Sequence, residues 1–150
     1  MKLSEILTPK RIALDLKART KEEVLEELVR LLRLSSPARK TLLKTLMARE
    51  ELGSTSVGAG VAIPHCRSLV VSKVLVAVGR SKRGISFNSP DGKRVFLFFL
   101  IVAPPVGNPG EYLVVLGSVA QAAKVLAKDK RIKKVKTPRE FIKLVKELEE

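Results

Sequence analysis

The sequence predicts an α/β fold, a single-domain sandwich over residues 1–150 with a central mixed β-sheet flanked by helices on both sides. Three observations carry this. Residues Val95 to Ala103 form nine consecutive apolar positions, the pattern of a strand covered on both faces. Capped segments with apolar residues at helical spacing interleave with short valine-rich stretches, without repeats, low-complexity runs or an obvious linker. The chain has 150 residues with 45% hydrophobic content, enough for one full core and cramped for two.

The elements follow in order. Ile12 to Leu16 alternates as a strand does. Thr20-Lys21-Glu22-Glu23 is a capping box: the threonine hydroxyl accepts from the Glu23 amide while the Glu23 carboxylate reaches back. Val24, Leu25, Leu28, Leu31 and Leu32 then mark the inner face of a first helix. Ser36-Pro37 opens a second, with serine as cap and proline at the first helical position. Its stripe is Leu42, Leu43, Leu46 and Met47, and Gly53 stops it after Leu52. Short strands are expected at Val61 to Ile63 and at Val74 to Gly79, and Asp91-Gly92 marks a turn before the central strand. A helix is predicted from Glu111 to Ala127 with Leu113, Leu116, Val119, Ala120, Ala123 and Leu126 inward. Thr137-Pro138-Arg139-Glu140 repeats the cap signals and opens a last helix through Phe141, Leu144, Val145 and Leu148.

Composition bounds the function classes. No apolar run approaches the roughly twenty residues of a membrane helix, so no membrane insertion is expected. Met1 to Leu7 lacks the apolar core and cleavage site of a signal peptide. One cysteine, Cys66, cannot form an internal disulfide, which fits a reducing compartment, and a cytoplasmic chain is expected. The net charge is +14, which raises an acidic partner or nucleic acid as a reading. The basic residues are scattered, densest from Lys128 to Lys136, and aromatics are only 4% of the chain. A stacking platform for single strands is thus unsupported, and nucleic-acid binding is the minority reading.

The chemistry gathers around His65, the single histidine. It ends the stretch Arg49-Glu50-Glu51-Leu52-Gly53-Ser54-Thr55-Ser56-Val57-Gly58-Ala59-Gly60-Val61-Ala62-Ile63-Pro64-His65. Imidazole titrates near neutrality and can act as a nucleophile at pH 7. The stretch lacks both the Walker ending and the dinucleotide fingerprint, so nucleotide binding there is unsupported. Backbone amides near glycine can still form an anion nest, to which Ser54, Thr55 and Ser56 add donors, and Arg49 can hold a phosphate bidentately. An ordinary loop and a solvated helix charge are the plain alternatives. His65 and Cys66 are two potential metal ligands where zinc needs three or four, so no metal is expected. They are also adjacent on an extended segment and point to opposite faces, which argues against a Cys-His pair and leaves Cys66 as filler. The polar Cys66-Arg67-Ser68 that follows suggests an exposed His65.

The span from Arg49-Glu50 through Gly53-Ser54-Thr55 to Gly58-Ala59-Gly60-Val61-Ala62-Ile63-Pro64-His65 resembles the active-site signature of the EIIA domain of the fructose/mannitol/nitrogen type. That family belongs to the phosphoenolpyruvate-dependent phosphotransferase system. The Gly-x-Ala-Ile-Pro-His core is specific, and the resemblance extends over the chain, from Lys21-Glu22-Glu23-Val24-Leu25 to the strand from Phe96 and the helix from Glu111. It implies a phosphocarrier without cofactor. His65 would accept a phosphoryl group from HPr or a nitrogen-branch counterpart, then pass it in trans to an EIIB cysteine or hold it as a regulatory signal. Arg49, Ser54, Thr55, Gly58 and Gly60 would bind the phosphate.

Three departures stand out. The family's second histidine, in a Glu-His-Leu pattern, is replaced in Glu111-Tyr112-Leu113; a phenol donates a hydrogen bond but does not become a cation near neutral pH. The residue after the histidine is usually glycine and here is Cys66, whose side chain is expected to narrow access. Between Leu52 and Gly110 seven Lys and Arg face Asp91 alone, so a basic donor would meet like charge. A rival reading is therefore an EIIA-like regulatory or interaction module whose His65 is not phosphorylated.

Overall fold

Strand β6, Val95–Ala103, is the axis of the molecule, and the computed structural model describes residues 2–107 and 109–149 around it. On one side β6 pairs antiparallel with β5, Leu75–Ile85, with Val76 opposite Ile101 and Arg80 opposite Leu97. On its other side two short parallel strands lie end to end. β3, Val61–Ala62, faces Leu97 and Phe98, and β4, His65–Arg67, faces Ile101 to Ala103. β1, Ile12–Ala13, runs parallel to β5, and β2, Ser56–Gly58, antiparallel to β3. The result is a six-stranded mixed sheet of order β1-β5-β6-β3-β2, with β4 paired to β6.

Helices cover both faces, as the apolar character of β6 requires. α1 (Leu3–Ile6), α4 (Pro109–Lys128) and α5 (Pro138–Leu148) close one face over Leu97, Phe99 and Ile101. α2 (Lys21–Arg30) and α3 (Ser36–Leu52) close the other over Phe98, Leu100 and Val102. From Leu97 to Val102 the odd and even positions of β6 thus serve separate cores, the expected two-residue alternation.

The helix starts follow the sequence signals with small shifts. The Thr20 and Thr137 hydroxyls accept from the amides of Glu23 and Glu140. The glutamate carboxylates reach the residue before each threonine, the amides of Arg19 and Lys136, where a capping box would return to the cap itself. The cap of α3 is Ser35, which accepts from the Ala38 amide, and Ser36 is already helical.

Other expectations need correction. The first strand stops at Ala13, although the Leu16 amide still donates to the Arg80 carbonyl, and β5 runs six residues past the predicted end at Gly79. In α4 the sheet-facing stripe is Val115, Val119, Ala123 and Leu126, with Tyr112, Leu116 and Ala120 packed beside it, while Leu113 is 64% exposed. Five of the six predicted inward positions lie on this face; Leu113 alone does not, and Tyr112 and Val115 take its place at the start of the helix. By length and composition α4 could cross a membrane, but here it packs its buried stripe on the sheet as a core helix.

Candidate functional site

The chain approaches His65 along the outer edge of β6. The Gly60 carbonyl accepts from the amides of Phe96 and Leu97, and the Pro64 carbonyl accepts from the Ile101 amide. Pro64 has no N–H to lose, so the extended path bends there and resumes as β4. His65 opens β4 opposite Ile101, toward the C-terminal end of β6, the end at which α/β sheets usually carry their ligands.

The imidazole is half-buried, where exposure had been expected. Its Nδ1 lies 2.7 Å from the Ile63 carbonyl oxygen. A carbonyl only accepts, so Nδ1 carries a proton, and the uncharged tautomer that this contact selects has its lone pair on Nε2. The carbonyl that fixes the tautomer is itself fixed. The Ile63 amide donates to the Thr55 carbonyl at 3.0 Å, and Thr55 is 5% exposed. The Thr55 amide and hydroxyl both donate to the carboxylate of Glu50, which is 6% exposed and also takes the Lys21 ammonium at 3.3 Å. A chain of contacts therefore runs from the last turn of α3 to the His65 ring.

β4 alternates across the sheet edge. Cys66 packs against the core under α2 and α3. His65 and Arg67 share the opposite face, where the Arg67 guanidinium sits 4.9 Å from the centroid of the Tyr112 ring. The helix phase of α4 and the alternation of β4 together put Tyr112 on the His65 side of the sheet. Burial and the nearby Cys66 raise the Tyr112 phenol above its usual range, with Arg67 and Arg49 opposing, so it stays protonated at neutral pH. Arg49 is thus in electrostatic reach of this face. Its Nη1 donates to the Gly53 carbonyl at 2.9 Å, which closes the end of α3.

Cys66 does not narrow access to His65, because its side chain points away into the core. Burial pushes its thiol up to about 11. At pH 8, alkylation of Cys66 by iodoacetamide should be about a hundredfold slower in the folded chain than in urea, because the thiolate fraction falls with the raised pKa. Equal rates would show that the thiol is open to solvent.

Not every expected phosphate ligand is brought to His65. The Ser54 hydroxyl donates to the Phe87 carbonyl and accepts from the Ser56 amide, so it ties the loop to the body of the protein. The turn at Gly58, Ala59 and Gly60, all at positive φ, lies beside Phe96, whereas His65 lies beside Ile101. Four to five positions of extended chain separate them, about 13–17 Å. Gly58 and Gly60 therefore cannot touch a group on His65; a glycine-rich stretch close in sequence is carried away by the strand that follows it. Two residues went unassigned in the sequence. Arg67 was legible as the position two after His65 on an extended segment, hence on its face. Glu50 stood inside the signature without a role, because its partners are set by the fold of the loop.

Among the described residues, no group of three or more His, Cys, Asp and Glu side chains is placed to hold a metal ion. Comparison with known proteins bears on the remaining question. The family model described as "Phosphoenolpyruvate-dependent sugar phosphotransferase system, EIIA 2" matches residues 5–148. The chain belongs to that EIIA family. A nitrogen regulatory protein of Bradyrhizobium diazoefficiens is 34% identical over 122 residues, 81% of this chain and 79% of the relative. The fructose-specific EIIABC component of Bacillus subtilis is 36% identical over 110 residues, 72% of this chain but only 17% of that longer protein. The crystal structure of the nitrogen regulatory protein IIA-Ntr from Neisseria meningitidis superposes with a TM-score of 0.84 at 35% identity, covering 95% of this chain and 98% of that one. The Escherichia coli mannitol IIA, solved in complex with phosphorylated enzyme IIB, shares the fold with a TM-score of 0.74 at 21% identity, over 94% of this chain and 97% of that one.

Proposed function

We propose that this EIIA chain is a phosphocarrier that accepts a phosphoryl group on Nε2 of His65 from the phosphohistidine of HPr or a nitrogen-branch counterpart. The observation that carries the reading is the Nδ1–Ile63 hydrogen bond, which leaves Nε2 as the nucleophile. The Nε2 lone pair attacks the phosphorus, the bond from phosphorus to the donor nitrogen breaks, and the electron pair returns to the donor ring. The His65 proton stays on Nδ1, where the Ile63 carbonyl stabilises the charge that grows on the ring. The Arg67 and Arg49 guanidinium groups supply positive charge for the phosphoryl oxygens, and the Tyr112 hydroxyl supplies a hydrogen bond. Phosphoryl transfer is loose, so positioning and charge are most of what the protein must provide.

Docking of protein partners in trans is supported by the surface around the site. Leu52 at the end of α3, Leu69 after β4, Val106 after β6 and Leu113 in the first turn of α4 are all exposed apolar side chains. They belong to the elements that meet at the His65 end of the sheet, and an apolar rim of this kind suits a partner that buries it. The acceptor is an EIIB cysteine or a regulatory target, and the role belongs in the cytoplasm. The test is incubation of the chain with phosphoenolpyruvate, EI and HPr, read by intact mass. One acid-labile phosphate mapped to His65 supports the reading. Its absence, with an unrelated EIIA labelled in the same tube and the native donor also tried, overturns it.

The second reading is the EIIA-like interaction module without transfer, and Tyr112 is the observation that favours it. Tyr112→His restores a group that can become a cation beside His65. It should raise the labelling rate about tenfold or more if proton or charge support at this position limits transfer. An unchanged rate would mean that position 112 takes no part in the step.

A further inference from the structure

We infer that the end of β6 remote from His65 carries a second site, which takes a nucleotide with its base on Phe96 and its phosphates on the surrounding lysines. A pocket of about 520 Å³ opens there, within the usual range for small-molecule sites. Val61, Leu97 and Ile132 give it an apolar floor, and Arg80, Lys82, Lys93, Arg94 and Lys133 supply five cations around it. Arg80 is a fixed wall, held by the carbonyls of Leu14, Ile132 and Val135 at 2.7–3.0 Å. Among the described residues, none of Lys82, Lys93, Arg94 and Lys133 is in an ion pair. Nearby carboxylates are engaged elsewhere, Asp129 with Arg131 at 2.8 Å among them. Asp15 pairs with Lys17 at 2.9 Å, and Asp91 accepts from the amides of Ala59 and Lys93.

Phe96 gives the site its class. It is the only exposed residue of β6, and an exposed phenyl ring in an otherwise closed central strand calls for a reason. The ring rests on backbone that two glycines leave bare. A Cβ at Gly84 would lie 2.9 Å from Cε1 and Cζ of Phe96, and one at Gly60 would lie 3.4 Å from Cδ2. Both glycines are at positive φ, +76° and +80°, where other residues are strained. The ring is therefore seated at a fixed height beside the cations, with the Lys133 ammonium 5.9 Å from its centroid. A planar base can stack on such a ring, and a short chain of phosphates can reach the cations next to it. A single aromatic seat in a bounded pocket suits one nucleotide better than a polymer, whose groove repeats its aromatics.

The test uses the full chain and titration calorimetry with ATP, GTP and CTP in turn, and with adenosine, inorganic tripolyphosphate and a single-stranded oligonucleotide as comparisons. At least one of the triphosphates should bind with a Kd below about 1 mM at near-physiological salt, and tripolyphosphate at least about tenfold more weakly. Phe96→Ala should weaken the nucleotide about tenfold and leave tripolyphosphate unchanged, as loss of one stacking contact does. The exposed pair Lys93→Glu with Lys133→Glu should weaken both by at least about tenfold, while the circular dichroism spectrum stays as in the parent chain. No binding by any of the three nucleotides, tripolyphosphate binding as tightly as they do, or unchanged affinity in the lysine pair would overturn the inference. An oligonucleotide that binds about tenfold more tightly than any mononucleotide would replace it with a nucleic-acid surface. Labelling of His65 is read separately, so either site can fail without the other.

Discussion

His65→Ala should take no phosphoryl group from phosphoenolpyruvate, EI and HPr under conditions that label the parent chain. The expected loss is complete, because the chain has no other histidine and the Cys66 thiol is protonated and turned into the core. The fold should survive. The ring is half-buried and its one hydrogen bond runs to the Ile63 carbonyl, which water can reach once the ring is gone. A net cost of about 1 kcal/mol is expected for one such bond. Intact mass with an acid-lability check reads the first half of the prediction, and thermal melting reads the second. A variant that still carries acid-labile phosphate would sink the assignment of His65. A variant that unfolds would make His65 a structural residue and remove the argument for transfer.

Glu50→Ala carries the other large effect, and it falls on stability. The carboxylate is the acceptor for both donors of Thr55 and for Lys21. Lys21 keeps 20% of its side chain in solvent and can rehydrate, but Thr55 is buried and cannot. Leaving its amide and hydroxyl without an acceptor should cost about 3 kcal/mol. For a chain of this size that lowers Tm by about 6–12 °C. Urea denaturation should give a lower midpoint at unchanged slope. Labelling of the folded fraction should also slow, since Thr55 holds Ile63 and Ile63 holds the ring. A stability loss under about 0.5 kcal/mol, the usual scale of a neutral surface change, would show that Glu50 does not hold this loop.

The two effects differ in how visible they were beforehand. His65 could be read from the chain because its signals are local. Proline before it, a polar run after it and a specific Gly-x-Ala-Ile-Pro-His context lie within a few positions. The three long capped helices were legible for the same reason, since a cap and an apolar stripe are contained in one segment. Thr55 could be singled out as a hydroxyl near the site, but its role changes in the structure. It serves Glu50 and the Ile63 backbone, and so acts on His65 through the loop.

The sequence by itself determined the layers of this protein, the strand that both cores need, and the single histidine, to which the proposed transfer is assigned. These depend on composition and on periods of two and 3.6 residues, which any reader of the chain can count. The tertiary structure alone decided where the strands sit along β6 and which side chains at the start of α4 face the sheet. The register of β3 and β4 sent Gly58 and Gly60 to the end remote from His65, and the phase of α4 turned Leu113 outward and Tyr112 inward. Register and helix phase have nearly equal local energies in several settings. They are chosen by packing between residues far apart in the chain, where a one-position slip exchanges the buried face for the exposed one.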